Sequence, residues 1–223
     1  MPVRPRKTFY YLRSLAAVSR IAEPRSLARF LARRSDLIVL RNGLRLRLGR
    51  PLDLLILKET VVDDSYRLRE LDGTAPAAIV DVGASIGDFA LWAGRRFPEA
   101  TVLAFEPNPR WFALLAENVR ANDATNVEAR RVAVGTEDRL DELVPADRID
   151  LLKIDCEGLE LDVLESARAL LPRVRRVALE YHRHLVPDAD DRCRRVLAGH
   201  GFELSTVPDR YNPAIGYLYG RRA

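Results

Sequence analysis

Ala78-Ile79-Val80-Asp81-Val82-Gly83-Ala84-Ser85-Ile86-Gly87 is the stretch on which the architecture turns. Ala78–Val82 is a short apolar run, as expected of a strand covered on both faces. Gly83 permits a sharp bend and leaves room for a ligand against the backbone, and Gly87 lets the next helix pack closely. A bare Gly-x-x-x-Gly says little, but between an apolar strand and a helix it marks a ligand-binding turn. Ser85 stands where the dinucleotide fingerprint has its middle glycine, which hinders close approach of a pyrophosphate.

Downstream, strand and helix alternate. The pattern predicts a helix over 86–97, a strand over Thr101–Phe105, a helix over 110–121 and a strand over Val127–Val134. A strand over 149–154, a helix over 159–171, a strand over Arg176–Leu179 and a helix over 189–200 follow. Such alternation implies parallel strands with helices on both faces. The tail differs: 202–207 and 215–219 are strands joined only by a turn-rich loop with Pro208, Asn212 and Pro213, so they pair antiparallel. The expected fold is therefore α/β and Rossmann-like, a mostly parallel seven-stranded sheet with an antiparallel terminal hairpin. That ending points to methyltransferases more than to dinucleotide dehydrogenases.

Upstream, 8–21 reads as a helix with an apolar face (Phe9, Leu12, Leu15, Ala16, Ile21), and 24–34 as a second with Pro24 in its first turn. Residues 37–41 and 44–48 flank Asn42-Gly43, a hairpin signal. A helix over 53–66 follows, and the loop from Asp72 to Pro76 divides an N-terminal helical and hairpin cap (1–74) from the main domain (75–223).

Four strands end in an acid: Asp81, Glu106, Asp155 and Glu180. Ligands of doubly wound sheets bind outside the carboxyl ends of the strands. Acids gathered there suit a cationic sulfonium, a ribose diol, a metal ion or a proton acceptor, although a single acid often only caps a helix. Glu106 follows Asp81 by 25 residues, near the spacing at which an acid grips a ribose. In Leu151-Leu152-Lys153-Ile154-Asp155-Cys156-Glu157-Gly158, Lys153 and Asp155 share a strand face. A buried lysine needs a partner, and Asp155, Glu157 and Glu180 are the candidates. Cys156 reads as a small buried residue. The Asn/Asp-Pro-Pro-aromatic motif of amino-group methyltransferases of nucleic acids is not at this position.

Charge is uneven. Lys and Arg number 36 against 32 acids, net +4, yet residues 1–50 hold thirteen Arg or Lys against two acids, +11, leaving −7 for the remainder. A basic arm could meet an anionic partner such as RNA, although the excess of Arg over Lys throughout points to genome composition. Two cysteines fit a reducing, cytoplasmic setting without a disulfide framework. No apolar run reaches the length of a membrane span, and no signal peptide is apparent.

The runs Ile79–Gly87, Phe105-Glu106-Pro107-Asn108-Pro109 and Asp150–Gly158, with Glu160 and Leu164, resemble the FkbM family of methyltransferases. Asp53, Glu59 and Tyr66 are similar to that family's lead-in segment, and the likeness covers about residues 37–182. The resemblance implies a class I fold, S-adenosylmethionine as donor, and transfer to a hydroxyl of a sugar, glycan or natural product. By matching position it implies that Asp81, Gly83, Ser85 and Gly87 line the methionine end of the cofactor and that Glu106 takes the ribose. It further implies Asn108, Val132 and Ala133 near the adenine, and Asp155 and Glu157 facing the transferred methyl. Ser85 replaces the family's usual Asn. Gly135 also runs almost directly into Arg139-Leu140-Asp141, where members have a longer stretch, so the acceptor side differs and could be completed by the arm or by a second copy in a homo-oligomer.

Asp155 is the first candidate for the base that takes the hydroxyl proton, with His182 and Glu157 next and Lys153 beside them. His182, just past its strand, also reads as an ordinary surface histidine. Asp155, Glu157 and Glu180 could instead hold Mg²⁺. An RNA methyltransferase using the basic arm, an NAD-linked oxidoreductase sharing Glu106, and a binding module without activity are the alternatives.

Overall fold

Along each central strand, alternate side chains go to opposite faces of the sheet. In the computed structural model, which describes residues 5–51, 53–136, 138–209 and 212–222, with side chains from residue 13, this alternation builds two cores. The cap comprises α1 (Pro5–Ile21), α2 (Pro24–Leu31), β1 (Leu37–Val39), β2 (Arg45–Arg47) and α3 (Asp53–Leu57). The main domain runs β3 (Ala78–Val82), α4 (Asp88–Arg96), β4 (Thr101–Phe105), α5 (Pro109–Ala121) and β5 (Val127–Arg130). It continues with α6 (Leu140–Leu143), β6 (Leu151–Ile154), α7 (Glu160–Ser166), β7 (Arg176–His182), α8 (Ala189–Gly199), β8 (Glu203–Pro208) and β9 (Ile215–Arg221).

The seven strands lie in the order β5-β4-β3-β6-β7-β9-β8. The first five are parallel, and β9 runs antiparallel between β7 and β8. The expected class I sheet with its terminal hairpin is present. Ile79, Val102, Ala104, Leu151 and Ala178 face the cap, α4 and α5. Val80, Leu103, Phe105, Leu152 and Leu179 face α7 and α8.

The cap shares its core with the main domain: Val18, Leu27, Leu46 and Leu57 join the same cluster as Phe89 and Leu115. Two asparagines one turn apart on α5 dock the β1–β2 hairpin. Asn118 Oδ1 accepts from Arg47 N (2.7 Å) and Asn122 Oδ1 from Arg45 N (2.8 Å), while their amides donate back to the Arg47 and Arg45 carbonyls. Phe9 and Leu12, assigned to the apolar face of the first helix, lie outside the residues whose side chains are described.

Several boundaries differ from expectation. The helix foreseen over 53–66 ends at Val62, because its second half widens into a π turn over Lys58–Val62, where the β-branched Thr60, Val61 and Val62 crowd. The chain then bends through Asp64 (φ 54°) and Arg67 (φ 53°), which leaves Tyr66 pointing at the sheet edge. The strand expected to reach Val134 stops at Arg130, after which Val134 bridges only to Asp138. The helix foreseen over 159–171 ends at Ser166, whose hydroxyl bonds back to the Val163 carbonyl, and a short turn carries Pro172. Strand β7 runs three residues further than expected, to His182, because β9 pairs with it along its whole length. No helix among the described residues is long and apolar enough to cross a membrane.

Candidate active site

The carboxyl ends of β3, β4, β6 and β7 open into a cleft of about 700 Å³, roofed by the cap. That volume lies within the range of cofactor and small-ligand sites.

Its floor is an ion pair. Parallel pairing puts Asp81 level with Lys153 on the neighbouring strand, and Lys153 Nζ lies 2.9 Å from Asp81 Oδ1 with both side chains essentially dry. The ammonium also donates to the Gly83 carbonyl (2.7 Å) and sits 5.1 Å from the Tyr66 ring centroid. Burial works against the lysine's charge, but Asp81 and Asp155 outweigh it and raise its pKa. Lys153 is thus a fixed cation and not a proton carrier. Its main partner is Asp81, which the sequence reading did not consider; Asp155 is 3.9 Å away.

Asp81 and Gly87, expected to line the methionine end of the cofactor, are not among the residues that line the cleft. Asp81 is fully buried beneath the lining because it serves Lys153. Gly87 is turned toward Leu115 of α5, so its missing side chain spaces two helices. Gly83 does line the cleft, yet its first duty is internal: a Cβ there would overlap the Asp155 carbonyl oxygen, where the ends of β3 and β6 meet.

One half of the cleft is shaped for a nucleoside. Glu106 Oε2 accepts from Ser85 N and Oε1 from Asn108 N, each at 2.8 Å. These bonds fix the carboxylate's orientation and leave further lone pairs to accept from a vicinal diol. Burial nevertheless raises its pKa, with the two backbone donors pulling the other way. Asn108 caps α5, its Oδ1 accepting from Arg110 N and Trp111 N. Val132 and Ala133 line the same half, on a loop beyond β5 and not within a strand, opposite Trp111. An orienting acid between apolar walls fits the ribose and base of an adenosyl group.

The other half is acid-rich. Tyr66 Oη is 2.8 Å from Asp155 Oδ2 and 3.0 Å from Glu180 Oε2. Burial, then Asp155 and Glu59, push Glu180 up to about 8. Thr60 from the π turn donates to Asp88 at 2.5 Å, and burial lifts Asp88 to about 6. Glu157, at φ 48°, sends its largely exposed side chain to the mouth. Cys156 is half-buried in the wall, and burial pushes its thiol up, so it stays protonated.

His182 is not a surface residue. It lies within β7, 3% exposed, with Nδ1 2.8 Å from Glu160 Oε1. Burial opposes its charge, but the Glu160 bond and the Asp155 carboxylate outweigh it and lift the imidazole to about 9. It is an imidazolium at neutral pH and cannot serve as the resting base.

The Mg²⁺ alternative finds no cage. Among the described residues no group of three or more His, Cys, Asp or Glu is arranged to hold a metal ion. Asp155 and Glu180 are turned to one tyrosine hydroxyl instead. In the sequence, Tyr66 and Glu160 stand out only through the family likeness, without roles. Their helical and loop positions lie 89 and 22 residues from their partners Asp155 and His182, so spacing alone could not pair them.

Residues 126–204 match the family model described as the methyltransferase FkbM domain. "Methyltransferase 1" of Beauveria bassiana (strain ARSEF 2860) is 35% identical over 81 residues, 36% of this chain and 32% of that protein. "Methyltransferase sdnD" of Sordaria araneosa is 42% identical over 69 residues, 31% of this chain and 26% of that protein. The matched segments thus span about a third or less of these curated relatives. The fold is that of magnesium protoporphyrin IX methyltransferase (ChlM) from Synechocystis PCC 6803 with bound SAH, at TM-score 0.55 and 14% identity, covering 77% of this chain and 85% of that one. The match to the FkbM methyltransferase domain thus covers residues 126–204 of the 223, within a seven-stranded sheet of the fold seen in that solved methyltransferase.

Proposed function

We propose that the protein is an S-adenosylmethionine-dependent O-methyltransferase acting on a hydroxyl of a sugar, glycan or other natural product. The observation that carries this reading is the division of one cleft into a nucleoside-shaped half around Glu106 and a proton-accepting half around Asp155. Glu106 would hold the ribose, Val132 and Ala133 would flank the adenine, and Gly83 and Ser85 would border the methionine end. When bound, the donor supplies an electrophilic methyl group on a sulfonium.

This chain's own contribution is alignment and proton acceptance. Holding two reactants in register is worth on the order of 7 kcal/mol in favourable cases. Asp155 is positioned to accept the hydroxyl proton as the oxygen attacks. Glu59, Asp155 and Glu157 around this half would repel phosphate and carboxylate, which favours a neutral polyol over an anionic acceptor such as RNA. Ser85 in place of a glycine, with its N–H already given to Glu106, leaves a pyrophosphate poorly served and disfavours an NAD-linked oxidoreductase.

The division into a cap over 1–74 and a catalytic domain over 75–223 belongs to the same reading, the cap contributing Tyr66, Glu59 and Thr60 to the cleft. Thermal unfolding with S-adenosylhomocysteine and, separately, with NADH tests the assignment. A ligand bound only by the native state raises the transition temperature. S-adenosylhomocysteine should raise it and NADH should not; the reverse result would sink the reading.

A further inference from the structure

Two carboxyl oxygens meet at one phenol. Tyr66 Oη lies 2.8 Å from Asp155 Oδ2 and 3.0 Å from Glu180 Oε2, yet a phenol carries a single hydrogen. It can donate to one carboxylate only. A second contact of that length between the phenol oxygen and a carboxylate oxygen requires a proton on that carboxyl group. Asp155 is the shorter contact and the more accessible group, with 26% of its side chain exposed, and it lies 3.9 Å from both the Lys153 ammonium and the His182 imidazolium. Glu180 is 14% exposed, faces His182 at 3.9 Å, and has Asp155, Glu59, Tyr217 and Tyr219 as its other titratable neighbours. His182 is equidistant from both carboxyl groups, so Lys153 is what favours charge on Asp155, and the drier position falls to the neutral acid.

We propose that the carboxyl groups of Asp155 and Glu180 hold one proton between them across the Tyr66 hydroxyl: Glu180 is a neutral acid donating to the Tyr66 oxygen, and Tyr66 is the positioning residue that donates its own hydrogen to an ionised Asp155. The inference deepens the transferase reading and rests on it for its role in turnover. The Tyr66 bond occupies Oδ2 of Asp155 and aims the carboxylate, so the hydroxyl proton of an acceptor goes to Asp155 Oδ1 as its oxygen bonds to the donor's methyl carbon and the methyl–sulfur bond breaks. The neutral Glu180 keeps a second negative charge off the Tyr66 hydroxyl that aims Asp155. The cap acts here through Tyr66 itself, whose ring makes edge contacts with Phe89 of α4 and Tyr217 of β9, at centroid distances of 5.5 and 6.0 Å.

Infrared difference spectroscopy of the full chain, without donor or acceptor, reads the proton directly. A carboxylic-acid carbonyl band should be present near neutral pH in the wild type and missing in Glu180→Gln. It should vanish as pH rises through about 8, and shift in frequency in Tyr66→Phe, where its hydrogen-bond partner is gone. The same band in Glu180→Gln, or a wild type without one, overturns the proposal, as does a band that ignores Tyr66→Phe. Should Tyr66→Phe fail to fold, the Glu180→Gln comparison alone decides the matter. S-adenosylhomocysteine calorimetry on the same wild-type sample separates the two ideas. The band without binding removes the donor reading and leaves the shared proton standing, and binding without the band does the opposite.

Discussion

The floor and the rim of the cleft are both built from acids and cations, but they are held in different ways. On the floor, Asp81 and Lys153 face each other on adjacent parallel strands, 2.9 Å apart, with 0% and 4% of their side chains exposed. On the rim, Tyr66, Asp155, Glu180, His182 and Glu160 come from the cap, two strand ends and α7, and most pairs other than the tyrosine and Glu160 bonds are near 3.9 Å. A dry pair in sheet register is a permanent charge arrangement. A looser cluster that meets water through Asp155 and Glu180, with groups moved to about 8 and about 9, can exchange protons near neutral pH. Structure and chemistry are thus allotted to groups of the same type by how tightly each is paired.

The sharpest break of that contrast is Lys153→Met. It leaves Asp81 buried without its cation, and removing one partner of a buried pair costs about 3–5 kcal/mol. Urea unfolding should show this loss as a lower midpoint at unchanged slope, and a midpoint within error of wild type would return Lys153 to the catalytic list. Asp155→Asn should do the reverse. Turnover on an acceptor found in a panel of hydroxylated sugars should fall on the order of a hundredfold, while S-adenosylhomocysteine still raises the melting temperature. Unchanged turnover would remove Asp155 from the chemistry.

The smallest expected effect is in the pH dependence of stability. His182 titrates at about 9 in the fold and at about 6.5 unfolded. The folded value is the higher one, so the stability it contributes is fully present below about pH 6.5 and is lost as pH rises through about 9. Melting temperatures should fall by a few degrees over that window in the wild type and by less in Glu160→Gln, which removes the partner at 2.8 Å. Parallel curves would mean that the Glu160 bond is not what holds the imidazolium.

Much of the architecture was legible in the chain. Ala78–Val82 and Thr101–Phe105 were read to the residue, since an apolar run of that length between turn signals has one good solution in a doubly wound sheet. Errors collected where local signals compete with distant ones. His182 looked like loop because nothing near it in sequence shows that β9 will extend its strand from outside. Asp81 looked like a ligand contact, since an acid at a strand end does not reveal which neighbouring strand brings its cation. Tyr66 looked like the end of a helix, because the π turn that redirects it answers to crowding and packing in the cap.

Periodicity and turn chemistry in the chain were enough to specify the strands, the glycine-bearing turn and the acid after β4, since each depends on neighbours within a few residues. Folding alone determined which oxygen meets which proton: Lys153 with Asp81, Glu160 with His182, and one tyrosine hydroxyl with two carboxyl groups. Those pairings span up to 114 residues, and their charges follow from burial and from distances of about 3 Å, which have no counterpart along an extended chain.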